Sequence, residues 1–198
     1  MTDIAWFRAP AGDDPGTLNA CYNALDVHVI RGRSDDVALS VGGSDLTFAR
    51  LLTEVAACAG VLRAFGVETG DQVALGAVSR ETGVLVVLAA ARVGAVVQYD
   101  DSPGAEGKVV VRAGGGEVVF AAGGDEIPWD VAMRAGRTDP AGCADVRGDA
   151  VLARHGSDEL TVLAALGASD VPTPPTPPGA TLLEVAGLQI WSFEPPGA

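Results

Sequence analysis

Lysine is almost missing from this chain: Lys108 is the single one among 198 residues. Any chemistry that needs an ammonium group must use that residue or borrow one from another chain. Lysine and arginine together number 13 against 26 acids, a formal net charge of −13. That balance argues against nucleic acid, whose phosphates need clustered Lys and Arg, and against anionic membrane surfaces. Cysteines are few, odd in number and widely spaced (Cys21, Cys58, Cys143), so neither a disulfide framework nor a zinc site is expected. Cys58 and Cys143 have no flanking base or cationic cluster, and no reactive thiol is expected from either. Long apolar runs are absent too. The most apolar stretch, Val84 to Ala91, is cut by Arg92 and falls far short of the roughly 20 residues of a membrane span. The start, Met1-Thr-Asp-Ile-Ala-Trp-Phe, lacks the basic beginning and apolar centre of a signal peptide, so a reducing cytoplasm is the expected location.

What is present is a globular composition: 48% hydrophobic residues, enough for one proper core. Trp6 to Gly16 is rich in Pro and Gly and is expected to lack regular structure. Leu18, Cys21, Tyr22, Leu25 and Val29 recur at helical spacing, with Thr17 as the expected N-cap. Val37 to Val41 reads as a strand turning at Gly42-Gly43. Thr47 then caps a helix whose Phe48, Leu51, Leu52, Val55, Ala59 and Leu62 share one face and which stops at Gly66. Gln72 to Ala77 is a strand, Glu81 to Val93 a helix closed by Gly94, and Ala95 to Tyr99 and Lys108 to Arg112 are short β-branched runs. This strand, helix, strand order predicts an α/β fold with a mainly parallel sheet flanked by helices. Beyond Arg112 the pattern weakens: Glu117 to Ala121 suits a strand, Trp129 to Ala135 a short helix, and Thr161 to Leu166 either. Val171 to Gly179 is a proline-rich connector of extended polyproline type. The tail, Thr181 to Phe193, is apolar enough to pair on a sheet edge or cover an apolar face. No internal repeat is visible.

Several stretches resemble the acetyl- and propionyl-CoA synthetase family of adenylate-forming, AMP-binding enzymes. They are Trp6-Phe7 with Gly16 to Val29, Leu46-Thr-Phe-Ala-Arg-Leu-Leu, Phe65-Gly-Val-Glu-Thr-Gly-Asp-Gln-Val-Ala-Leu75, Ala89-Ala-Ala-Arg-Val-Gly-Ala-Val96 and Ala105 to Val111. The resemblance implies the N-terminal subdomain of such an enzyme over 1–170, the connector over 171–179, and a C-terminal segment over 180–198 that docks on the domain or on a partner.

In the family a strand leads into a Ser/Thr/Gly-rich loop ending in lysine, which cradles the ATP phosphates. The best match here is Asp158 to Pro174. Ala164, Ala165, Leu166, Gly167, Ala168 and Ser169 then form a degenerate phosphate-loop remnant, Asp170 brings an acid, and no lysine follows. The resemblance places the adenine segment, the ribose-binding aspartate and the adenylation lid beyond Ala198. It therefore implies no catalytic residue, no cofactor and no metal in this chain. The expected role is a non-catalytic acyl-CoA-synthetase-like protein serving as a binding or regulatory module; the alternative is one half of a split synthetase that depends on a partner chain. The expected partner is a protein or a second copy in a homodimer. A small acyl or CoA ligand is conceivable, but nothing after Arg112 specifies its pocket. His28 reads as a helix-surface or interface residue, and His155 stands near a strand end without a triad partner. Asp100-Asp101 reads as a solvated turn. Gly114 to Gly116 and Gly123-Gly124 lack the helix start and lysine of a phosphate loop.

Overall fold

The computed structural model describes residues 4–41, 43–100, 106–169, 171–172 and 176–193. The chain begins with strand β1 (Trp6–Arg8), paired antiparallel with β2 (Thr17–Leu18), so the Pro/Gly-rich start is not without regular structure. Thr17 is thereby drawn into a strand and cannot cap. Asn19 takes that role, accepting from the Tyr22 amide at 3.2 Å. A π-helical turn, Tyr22–Asp26, runs straight into α1 (Val27–Ile30).

A hairpin of β3 (Val37–Val41) and β4 (Ser44–Thr47) leads into α2 (Phe48–Ala64), whose first turn is closed by the Thr47 hydroxyl accepting from Arg50 N at 3.3 Å. The helix stops where Gly66 takes φ +77. Then come β5 (Gln72–Leu75), α3 (Arg80–Val93) with its Gly94 stop, and β6 (Val96–Tyr99). The remaining elements are β7 (Val109–Gly114), β8 (Glu117–Ala122), β9 (Asp125–Pro128), α4 (Trp129–Gly136), β10 (Val146–Arg147), β11 (Val151–His155), β12 (Asp158–Thr161), α5 (Val162–Ala165), β13 (Ala180–Val185) and β14 (Leu188–Phe193).

The main sheet has seven strands in the order β12-β11-β6-β5-β7-β8-β9. Its centre, β11 to β7, is parallel, and antiparallel strands finish both edges. This is the α/β class expected, with the parallel centre read as near-continuous apolar runs because both faces are covered. Val73, Val97, Val109 and Val111 are fully buried there, and α3 buries every residue from Val84 to Val93. Helices α2 and α4 touch at glycines. A Cβ on Gly136 would strike the Ala57 carbonyl oxygen, and one on Gly60 the Asp139 carbonyl oxygen.

The tail does not join the main sheet. Strands β13 and β14 form their own hairpin, turning through Ala186 (φ +49) and Gly187 (φ +89). Val185, Leu188, Ile190 and Trp191 of this hairpin are buried. Of the proline-rich connector, positions 173–175 lie outside the described residues, as does Asp101 of the acidic pair.

One local pattern occurs twice. In the β3–β4 hairpin Val37 pairs with Thr47, Leu39 with Leu46, Ser40 with Asp45 and Val41 with Ser44, with an irregularity after Val37. In the β11–β12 hairpin Val151 pairs with Thr161, Ala153 with Leu160, Arg154 with Glu159 and His155 with Asp158, with the same irregularity after Val151. Each ends in a threonine that caps the next helix, and the first helical amide reaches back to an equivalent carbonyl: Phe48 N to Asp36 O at 3.0 Å, Val162 N to Ala150 O at 2.9 Å. The sequences Ser44-Asp-Leu-Thr-Phe and Asp158-Glu-Leu-Thr-Val carry this likeness. It is too short to register as a repeat without the pairing.

Candidate functional site

The carboxyl ends of β5, β6 and β11 lie side by side, at Leu75, Tyr99 and His155. In an open α/β sheet this edge is where loops diverge and leave a crevice. Here the crevice has a volume of about 640 Å³. Its apolar walls are Leu75 and Tyr99 from the sheet, Val78 from the loop before α3, Val84 from α3, and Trp191 and Phe193 from β14. Its polar groups are Ser79 and Arg80 at the start of α3, with Gln98, Asp100 and His155.

The tail hairpin is fastened at this point. The Tyr99 phenol donates to the Trp191 carbonyl at 2.6 Å, and burial pushes the phenol's pKa up, which keeps it protonated as a donor. The Phe193 ring lies 4.9 Å from Tyr99 and stacks on the His155 imidazole at 4.7 Å. At the other end of the hairpin, the Ala186 backbone hydrogen-bonds His28, whose ring stacks on Phe48 at 4.6 Å. Burial and the neighbouring Arg33 lower the His28 pKa below its ordinary value despite that bond. His28, expected as a helix-surface or interface residue, is half-buried and ties α1 to the hairpin turn.

The crevice offers shape and a few polar groups rather than a reacting constellation. The Ser79 hydroxyl is spent on the cap of α3, accepting from Thr82 N at 3.2 Å and donating to the Thr82 hydroxyl at 3.0 Å. Among the described residues, no cluster of His, Cys, Asp and Glu suits a metal ion.

In the expected phosphate-loop remnant, residues 162–165 are helix α5, one of the two forms expected over Thr161 to Leu166. Ala164 N donates to the Thr161 hydroxyl, Leu166 N to Val162 O, Gly167 N to Ala164 O and Ala168 N to Leu163 O. Ala164, Ala165 and Leu166 are buried, and only Gly167 and Ser169 of the six are exposed. The physical reason is the Thr161 cap, which starts a helix, and the apolar run behind it, which packs into the core. A phosphate cradle needs outward amides, and those of Ala164, Leu166, Gly167 and Ala168 are taken.

A second polar centre is not legible in the sequence. Arg92, which there merely interrupts an apolar run, is 7% exposed. Its guanidinium grips the Asp26 carboxylate through two bonds, of 2.8 and 3.1 Å, and donates through Nε to the Ala141 carbonyl at 2.7 Å. Burial works hardest against the charge, but the Asp26 hydrogen bonds, together with the charge interactions with Cys21, Cys143 and Asp26, raise the Arg92 pKa on balance. Cys21 Sγ sits 3.6 Å from Arg92 Nη1, and Cys143 Sγ 3.8 Å from Asp26 Oδ2. Cys143 therefore does have charged neighbours, contrary to expectation, because they come from distant parts of the chain. Beside this centre the fully buried Asn19 donates to the carbonyls of Ala91, Arg92 and Ala144, each at 3.0 Å. Cys58 is a plain core thiol, its pKa pushed up by burial.

Comparison with known proteins shows the family to which this fold belongs. A model of the AMP-binding enzyme family matches residues 27–181, so the chain belongs to that family. It is similar to acetyl-coenzyme A synthetase 2 of Debaryomyces hansenii (36% identity over 99 residues), that of Saccharomyces cerevisiae (38% over 100) and acetyl-coenzyme A synthetase of Streptomyces coelicolor (38% over 95). These matches cover 46 to 48% of this chain but 14% of each relative. The fold is similar to that of ATP-bound MatB from Rhodopseudomonas palustris, with 18% identity and a TM-score of 0.55 over 77% of this chain and 37% of that one. No helix among the described residues is long and apolar enough to cross a membrane.

Proposed function

We propose that this chain is a non-catalytic, acyl-CoA-synthetase-like binding module, and that it holds a small acyl-type ligand in the crevice beneath β14. The observation that carries the first half is the state of residues 162–168. The segment that best matches the family's ATP loop is a capped helical turn in which the amides of Ala164, Leu166, Gly167 and Ala168 are already hydrogen-bonded within the segment. Adenylyl transfer depends on positioning and on charge stabilisation around the phosphates, and an acidic chain with one lysine offers little of either. Lys108 itself is paired with Asp71 at 3.0 Å, away from the crevice residues. The crevice supports the second half. Its volume suits a small molecule, and its apolar walls with a few polar groups are the usual make-up of a binding pocket.

The test is ATP–pyrophosphate exchange with acetate and propionate, alongside calorimetric titration of acetyl- and propionyl-CoA. No exchange above background, with saturable thioester binding, supports the reading. Exchange by the chain alone overturns it, and exchange that appears only on adding a second polypeptide establishes the split-synthetase reading instead. Self-association belongs to the same proposal, since Phe7, Ile30, Val37, Val131 and Leu182 expose apolar side chains. Light scattering above the monomer mass at micromolar concentration supports it, and a clean monomer counts against it.

A further inference from the structure

The ion-pair centre brings together two thiols that the sequence separates by more than half its length. Cys21 lies in the first helical segment and is fully buried, whereas Cys143 lies in the stretch between α4 and β10 and is partly open to solvent. The two share one charged pair: Arg92 Nη1 contacts Cys21 Sγ at 3.6 Å and Asp26 Oδ2 at 2.8 Å, and Cys143 Sγ points at the same Asp26 oxygen from 3.8 Å. The two thiols therefore converge on one ion pair, Cys21 from the Arg92 side and Cys143 from the Asp26 side.

We propose that Cys21 and Cys143 are a redox-sensitive pair that closes to a reversible disulfide, fastening the 137–145 stretch to the first helical segment. The oxidant is a small two-electron one, such as hydrogen peroxide. The more accessible sulfur, Cys143, attacks the O–O bond as its thiolate, forming a sulfenic acid and releasing hydroxide. The Cys21 thiolate then attacks that sulfur and expels a second hydroxide. The two thiol protons convert both hydroxides to water, so two thiols lose two electrons and the peroxide gains them.

The groups facing Cys143 are Cys21 and Asp26 from the first helical segment and Arg92 from α3. The neighbouring Cys21 thiol, burial and the Asp26 charge all hold the Cys143 thiol protonated, and only Arg92 opposes them. The pair is therefore slow to react at neutral pH and quickens as pH rises, which distinguishes it from a standing nucleophile. Cys58 is an internal control, being fully buried on α2.

The full chain is treated with peroxide, quenched with an alkylating agent, and mapped by non-reducing peptide mass spectrometry. The expected result is a monomer lighter by two hydrogens, a linked Cys21–Cys143 peptide, Cys58 unlinked, reversal by dithiothreitol, and faster closure at alkaline pH. The cross-linked form should unfold a few degrees higher. C143S should abolish the mass loss, and because the linked peptide is read on the unaltered chain, poor folding of that variant leaves the test intact. Absence of the linked peptide, linkage through Cys58 or between copies, or oxidation of Cys143 to sulfinic acid without pairing would each overturn the proposal.

Discussion

The two hairpin–helix units share a strand register and a threonine cap, yet they end in opposite ways. After Thr47 the chain continues as a helix of 17 residues that anchors the core; after Thr161 it continues for 4. The code that starts a helix is the same, so the difference lies in the residues behind the cap. The first unit supplies Leu51, Val55, Ala59 and Leu62 on one face before Gly66. The second reaches Gly167, at φ +67, within two residues of its last helical position, and proline comes soon after. Capping sets where a helix begins; the length of its apolar stripe sets whether it becomes a scaffold.

The sharpest way to break the comparison is to exchange equivalent residues. Leu51 and Ala165 occupy matching positions, both with 0% exposure. Leu51→Ala opens a cavity under α2 and should cost about 3 kcal/mol, within the usual 2–5 for such truncations, read by urea unfolding. Ala165→Leu overpacks the smaller site and should cost about 2 kcal/mol, on the same measurement. Next come the caps. Thr47→Ala and Thr161→Ala should each cost about 1 kcal/mol. A Thr161→Ala variant of unchanged stability would show that the second unit is a likeness of outline only.

The smallest expected effect is a pH dependence at His28, which joins the first unit to the tail hairpin. Its pKa in the folded chain is below the ordinary 6.5, so the unfolded chain binds the proton more readily. His28's contribution to stability is then complete above pH 6.5 and declines as pH falls from there through the folded value. Urea midpoints measured from pH 7.5 to 5 should fall less for His28→Phe than for the unaltered chain. Equal slopes would contradict the assignment.

Regions differ in how far they can be read from the sequence, and the physical reason is the same throughout. Thr47, Gly66 and Gly94 act on their immediate neighbours, and the elements they bound are legible. Asn19 displaces Thr17 as a cap because β1 pairs with residues 17–18, a contact made across an intervening turn. Arg92, Asp26, Cys21 and Cys143 meet only once α3, the first helical segment and the 137–145 stretch are packed together, so no local pattern announces them. The crevice is equally hidden. Its lid is β14, and an apolar tail does not reveal which face it will cover. Thr161 to Leu166 reads as either strand or helix by itself, and the likeness that decides it, Leu160-Thr-Val repeating the strand-end, cap and helix start of Leu46-Thr-Phe, emerges only from the strand pairing.

Binding without adenylation is the property on which the proposed role stands or falls. Its most direct test is thermal unfolding of the full chain with and without ATP, AMP, CoA, acetyl-CoA and propionyl-CoA at millimolar concentration. A ligand at about 100 times its Kd adds roughly 2.7 kcal/mol, which for a chain of this size is a rise of roughly 5–10 °C. A binding module of this kind should show a rise of that order with an acyl thioester and none with ATP or AMP. A rise with ATP would reveal a working phosphate site and contradict that role.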